Sequence, residues 1–294
     1  MIVVSGASGQ LAGLIAGELL ERIEPDRLRL VTRDPGRLRD IPPSVEVARA
    51  DFDEPATLPA AFAGGSTLML VSTDTITDRA AQHARAIDAA RDAGIRRVVY
   101  TSMTSPGEEN PALIAGSHRA TEEQLRASGV EWTILRCGFY ADFQAFEAAD
   151  ALASGELVHN RGDGRCAYVA RADIARSAAV VLAEDGHEGA VYELTGPEAL
   201  SADELAELYS RVGDSPVETT GLDDDAYLAA IGGSADGHVQ YGVALAVSLG
   251  QAMRLGLHED VSGDVERLTG RAPQRVEDLL QTQAASLRAV ARQG

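Results

Sequence analysis

Ser5-Gly6-Ala7-Ser8-Gly9-Gln10-Leu11-Ala12-Gly13 follows the apolar run Ile2-Val3-Val4 and opens a Leu- and Ala-rich segment, Leu11 to Arg22. A short apolar strand, a glycine turn and a helix in immediate succession make an anion cradle. Gly6 permits the tight turn, Gly9 lets the backbone approach a pyrophosphate closely, and the small Ala12 lets the helix lie against the strand. The free N–H groups and dipole at the helix start favour a negative ligand there. Gly6, Ser8, Gly9, Gln10 and Leu11 are therefore candidate dinucleotide-binding residues.

Outward from this loop, the pattern alternates short β-rich runs with helical ones. It predicts strands at Ile2 to Ser5, Leu28 to Thr32, Val45 to Ala50, Thr67 to Ser72, Arg97 to Ser102 and Trp132 to Arg136. Between them, helices are predicted at Leu11 to Arg22, Leu58 to Phe62, Asp78 to Ala93 and Ser117 to Ser128. Several strands are continuous apolar runs, as expected where both faces of a parallel sheet are covered. The fold class is α/β, a doubly wound parallel (Rossmann) sheet carrying a smaller C-terminal α+β substrate lobe. The rhythm changes after Cys137, so residues 1–137 are assigned to the NAD(P)-binding domain and 138–294 to a substrate lobe interleaved with it. In the second part, Asp173 is predicted to cap a helix, Ser201 and Glu204 form a capping box, a strand is expected at Val191 to Thr195, and Val276 to Ala291 reads as a terminal helix. The stretch from Gly232 to Leu257 is apolar and Gly-rich and reads as a lid or a partner surface.

The end of the second strand bears on the cofactor. Acidic residues there suit the free ribose hydroxyls of NAD, and Arg suits the 2′-phosphate of NADP. In Thr32-Arg33-Asp34, Arg33 is the first charge, which points to NADP(H); NAD(H) is admitted if Asp34 faces the ribose instead. Asp51-Phe52 after the third strand would border the adenine. Ser72-Thr73 after the fourth would lie along the cofactor, and Thr101-Ser102 after the fifth near the nicotinamide ribose, with Cys137 beyond the sixth.

The chain has 26 basic and 45 acidic residues, a net charge of −19, and this balance argues against nucleic acid or an anionic membrane as partner. All the basic residues are Arg, which removes Schiff-base chemistry and any Tyr-Lys catalytic pair. Two Cys are too few for a disulfide framework or a zinc site, and no metal site is expected. No signal-like leader and no run of 18 apolar residues is visible, so a cytoplasmic location is expected. A homodimer stays open, with no heptad pattern in its favour.

These segments together resemble the atypical short-chain dehydrogenase/reductase superfamily in its NmrA-like branch, and most closely the type 2 NAD(P)H:quinone oxidoreductases. The resemblance rests on SGASGQLAG, VTRDP, ADFDEPATL, RRVVYTSM, SHRATEEQLRASGVEWTILRCGFYADF, YVARADIA, YELTGPEALSADELAEL and DVERLTGRAP. Where the superfamily commonly carries Tyr and, four residues later, Lys, this chain carries His118 and Glu122. The resemblance implies hydride transfer from NAD(P)H to a quinone or conjugated aromatic carbonyl. His118 is then the candidate for orienting or protonating the reduced oxygen, with Tyr140 as the alternative acid. Phe139, Tyr140, Phe143 and Phe146 fall within eight positions of a chain with 4% aromatic residues, so Phe139 and Phe143, with Met103 from the end of the fifth strand, are candidate substrate-pocket residues. Two other readings remain: a reductase or oxygenase tailoring polycyclic aromatic polyketides in antibiotic biosynthesis, and an NmrA-like redox sensor that binds the dinucleotide without turnover.

Overall fold

The computed structural model describes residues 1–75, 78–232 and 237–292, with side chains after Ile231 and Gly232 resuming at Gln240. Seven parallel strands form the main sheet: β1 (Ile2–Val4), β2 (Leu28–Thr32), β3 (Glu46–Arg49), β4 (Thr67–Leu70), β5 (Arg97–Met103), β6 (Glu131–Cys137) and, after the small-sheet strand β7 (Glu156–His159), β8 (Ala190–Leu194). Their order is β3-β2-β1-β4-β5-β6-β8, so the direction of winding reverses beside β1, where open α/β sheets bind their ligands. The apolar runs are explained by burial on both faces. Ile2 and Val4 pack with Leu28 and Leu30 into one core, whereas Val3 and Val31 join Leu68 and Leu70 in the other. Only β3, at the edge, is largely exposed.

The helices are α1 (Gln10–Leu20), α2 (Leu58–Phe62), α3 (Arg79–Asp92), α4 (Ala115–Ala127), α5 (Gln144–Ser154), α6 (Arg171–Ala183), α7 (Ala202–Gly213), α8 (Asp224–Ala230), α9 (Gly237–Arg254), α10 (Asp264–Thr269), α11 (Val276–Gln281) and α12 (Ala284–Ala291). α1 packs against α6 over the first core; α3 and α4 cover the second. A separate core joins Leu152 of α5, Leu205 and Tyr209 of α7, Leu280 of α11 and Leu287 of α12, and beside it β7 pairs with β9 (Glu218–Gly221). From beyond residue 138, α6, β8 and α10 pack into the main sheet layer, while α5, β7, α7 and β9 pack together beside it.

Two local expectations change. The predicted terminal helix is two helices, α11 and α12, separated at Thr282 and Gln283. Asp173 is not a helix cap, because α6 starts at Arg171; Asp142 Oδ2 accepts the Arg171 N–H from outside the helix at 2.9 Å, and buried Asp173 holds Arg176 and the Gln274 N–H. The acidic run Asp223-Asp224-Asp225 opens α8, Asp223 accepting the Ala226 N–H at 2.8 Å. The Ser201–Glu204 capping box is present. Within the apolar stretch that begins at Gly232, residues 233–236 lie outside the described ones, and the remainder forms α9 and the turn after it.

Candidate active site

A cleft of about 490 Å³ opens over the carboxyl ends of β1, β2, β3 and β4. Its floor is the glycine loop. Gly6 sits at φ +64°, a left-handed conformation that suits glycine, and a Cβ on Gly9 would come within 3.2 Å of the Gly6 carbonyl. The loop is tied down on both sides: Ser8 Oγ lies 2.9 Å from Thr32 Oγ1, and Ser5 Oγ accepts the Val71 N–H at 3.0 Å. No side chain caps α1 at Gly9, which leaves its first-turn N–H groups for an anion.

At the β2 end, Arg33 and Arg37 both line the cleft. Asp34 Oδ1 instead accepts the Gly36 N–H at 3.0 Å and caps its own 3₁₀ turn. Asp51, Phe52, Ser72 and Thr73 complete the lining on this side, with Tyr140 and Arg171 across from them. Ten expected cofactor residues therefore meet in one cleft: Gly6, Ser8, Gly9, Gln10, Leu11, Arg33, Asp51, Phe52, Ser72 and Thr73.

The other three do not line it. Thr101 lies beneath, its Oγ1 accepting the Ser72 N–H at 2.8 Å. Ser102 Oγ donates to Glu122 Oε1 at 2.7 Å, and Cys137 is buried, which pushes its thiol pKa up and keeps it neutral. All three are buried side chains.

His118 is also displaced from its expected role. It is buried on the inner face of α4, with Nδ1 2.8 Å from the Tyr100 hydroxyl, and it is not part of the cleft lining. Burial, then the nearby charge of Arg79, holds its pKa well below the usual imidazole value, so it is neutral. Glu122 is equally sequestered. Burial alone would raise its pKa, but hydrogen bonds from Arg136 and Ser102 outweigh that and keep it ionised. Arg136 grips it through Nε at 2.9 Å and Nη2 at 2.8 Å, and Arg136 Nη1 also meets Glu193 at 3.0 Å.

Tyr140 is the expected acid that does reach the cleft. Burial raises its pKa, so the phenol keeps its proton. Its ring stacks on Phe143 at 6.1 Å, and the Arg171 guanidinium lies 4.6 Å and 4.7 Å from the two ring centroids. Phe143 is 54% exposed and does not itself line the cleft. Met103 and Phe139 belong elsewhere: with Ala112, Ala115 and Ala252 they pack under Leu249 of α9 and Leu257, and Phe139 lies 4.4 Å from His258. A second cavity of about 210 Å³ at the ends of β5, β6 and β8 is lined by Thr104, Gly138, Glu193 and His258. Burial takes the His258 pKa down to about 4.

At Thr73, the backbone is held on both sides of the Cα. The Thr73 N–H donates to His83 Nε2 at 3.1 Å and its carbonyl accepts from Arg79 Nε at 2.8 Å. Because Nε2 accepts, His83 Nδ1 carries the proton and donates to Thr121 Oγ1 at 2.9 Å. Burial lowers the His83 pKa to about 3. Thr73 Oγ1 and Gln82 Oε1, both on cleft-lining residues, are buried without partners among the described residues. Two unpaired polar atoms, two guanidinium groups and an uncapped helix start fit a phosphorylated dinucleotide. Sequence reasoning missed Arg37, Gln82 and Arg171. Arg37 had a signal, a second Arg four residues after Arg33; the other two stand in first helical turns whose placement depends on tertiary packing.

The NAD(P)H-binding family matches residues 6–185. Quinone oxidoreductase 2 of Escherichia coli is 33% identical over 79% of this chain and 81% of its own length, and its crystal structure with NADPH superposes with a TM-score of 0.90 at 30% identity, covering 96% and 99% of the two chains. The NAD(P)H azoreductase of Xenophilus azovorans is 31% identical over 74% of this chain and 75% of its own. Triphenylmethane reductase of Citrobacter sp., solved with NADP(H), has a TM-score of 0.86 at 30% identity over 97% and 100% of the chains. Sheet, cleft and relatives agree: the chain belongs to the NAD(P)H-binding family, in the NmrA-like branch of the atypical short-chain dehydrogenase/reductases, and is an NAD(P)H-dependent oxidoreductase.

Proposed function

We propose that the protein reduces quinones and related conjugated aromatic acceptors, with NADPH preferred over NADH. The observation that carries this reading is the fate of the two positions where the superfamily commonly has Tyr and Lys. His118 and Glu122 are both locked in the interior, one neutral and one neutralised by Arg136, so neither offers a proton to the cleft. An isolated ketone becomes a strongly basic alkoxide on reduction and needs such a donor; a quinone yields a weakly basic oxyanion and does not.

Bound NADPH supplies the hydride. The chain's own residues do the rest. The α1 start holds the pyrophosphate, Arg33 and Arg37 hold the 2′-phosphate while Asp34 is kept in its turn, and Asp51 and Phe52 border the base. Thr73, fixed through its peptide by His83 and Arg79, presents its free hydroxyl to the cofactor. Tyr140 and Phe143, stiffened by Arg171, make the aromatic wall on which a planar acceptor stacks, and the Tyr140 phenol, its pKa raised by burial, keeps its proton. The azoreductase and the triphenylmethane reductase among the relatives are named for azo and triphenylmethane acceptors, which supports an aromatic substrate class.

The substrate is thus a small molecule, and the net charge of −19 speaks against nucleic acid. Steady-state oxidation of NADPH and NADH with one-ring, two-ring and polycyclic quinones tests the reading. Turnover with NADPH preferred is expected. NADPH binding without turnover on any acceptor would overturn it in favour of a dinucleotide sensor.

A further inference from the structure

Gln82 is 4% exposed, yet it forms part of the cleft wall. Its amide orientation is fixed by chemistry: Asp53 Oδ2, 2.8 Å away, can only accept, so the near atom is Nε2 and Oε1 faces elsewhere. That Oε1 is shut off from solvent and has no partner among the described residues. A buried acceptor without a donor is rare in folded proteins, and Gln82 is one of the residues that line the cleft.

The position of the acceptor narrows the donor. Asp53 is held in turn by Arg85, whose Nη2 lies 2.8 Å from Oδ1 and whose Nε donates to the Phe52 carbonyl. Gln82 is thereby tied to the loop after β3, the end of the cleft assigned to the base. Asp51 on the same loop is already engaged, accepting the Asp53 N–H at 3.0 Å and facing Arg49 at 3.6 Å. Adenine has one donor, its 6-amino group; its ring nitrogens are acceptors that would repel Oε1.

We propose that Gln82 reads the adenine base: its Oε1 accepts a hydrogen bond from the 6-amino group and so rejects a 6-oxo purine in the same place. This rests on the reading of the cleft as the NADPH site. A 6-oxo group would set two carbonyl oxygens against each other and leave Oε1 unpaired, whereas adenine satisfies it.

The test is equilibrium binding, without acceptor, of NADPH and of its hypoxanthine analogue, followed by nucleotide fluorescence on the whole chain. The wild-type protein should bind the analogue at least about tenfold more weakly than NADPH. Gln82→Met, similar in length but without the carbonyl, should bind NADPH about tenfold more weakly and the two dinucleotides within about twofold of each other. Equal wild-type affinity for both, with NADPH still bound, would overturn the inference and leave the cofactor reading intact. Discrimination that survives in Gln82→Met would overturn it as well, by assigning the readout to another acceptor. No NADPH binding at all would sink the cofactor reading and the inference together. Should the Met variant fail to fold, the wild-type comparison still decides.

Discussion

Arg33 and Asp34 are neighbours of opposite charge, and which of them meets the ribose sets the cofactor. The sequence left both in play; the structure turns Asp34 into its own 3₁₀ turn and adds Arg37 beside Arg33. Arg33→Ser should raise the KM for NADPH by about 10- to 100-fold, the worth of a charge-assisted contact, and leave that for NADH within about twofold. Parallel kinetics with the two cofactors would show it, and an equal loss for both would remove Arg33 from the phosphate. His118 was legible only as a position. Spacing put it where an acid belongs, but its environment comes from Tyr100 on β5, a contact no local pattern reveals. Being neutral and outside the cleft, it should not shape the pH dependence: His118→Asn should lower Tm, through a buried hydrogen bond worth about 1–3 kcal/mol, while the pH profile of kcat between about 5 and 8 keeps its form. A lost or shifted profile would return His118 to the chemistry.

At the scale of elements, the carboxyl ends of β1 to β4 were readable because β1, β2 and β4 are short, mainly apolar runs and each of the four is followed by a glycine, a charge or a hydroxyl. The segments around them were not. Met103 and Phe139 looked like pocket residues by composition, yet α9 covers them, and the strand β9, Glu-Thr-Thr-Gly, has no apolar signature because it pairs only with β7 at the surface of the lobe. The clamp on the loop after β4 was equally hidden, since it joins α3 to α4 through His83 and Thr121. His83→Leu leaves the Thr73 N–H without an acceptor and should weaken NADPH binding by about tenfold or more. His83→Gln, whose Oε1 reaches near the place of Nε2, should restore most of it. Binding titrations on both variants check this; equal loss in Leu and Gln would assign His83 to packing alone.

For the molecule as a whole, buried histidines make stability depend on pH, and three of the four among the described residues are the most strongly shifted. His83 at about 3, His258 at about 4 and the still lower-than-normal His118 are neutral in the fold, whereas the unfolded chain takes up a proton on each near pH 6.5. The unfolded state then binds more protons, so their contribution is present above about pH 6.5 and is lost as pH falls below it, by about 1.4 kcal/mol per pH unit for each proton. Urea unfolding at pH 7.5 and 5.5 should show a lower stability at 5.5, and a flat or opposite trend would mean that these residues are charged in the fold. The broad architecture was legible because a doubly wound sheet imposes its pattern on every strand; the lobe was less so because α6, β8 and α10 leave it for the sheet, a choice made by tertiary contacts. The central claim is that this cleft delivers hydride from NADPH without a dedicated proton donor for a strong alkoxide. Its most direct test is a single-turnover mixing experiment, in which the protein preloaded with NADPH meets either a quinone or an isolated ketone of similar size. The account predicts rapid loss of the reduced-cofactor absorbance with the quinone and none with the ketone; reduction of both at comparable rates, or of neither, would contradict it.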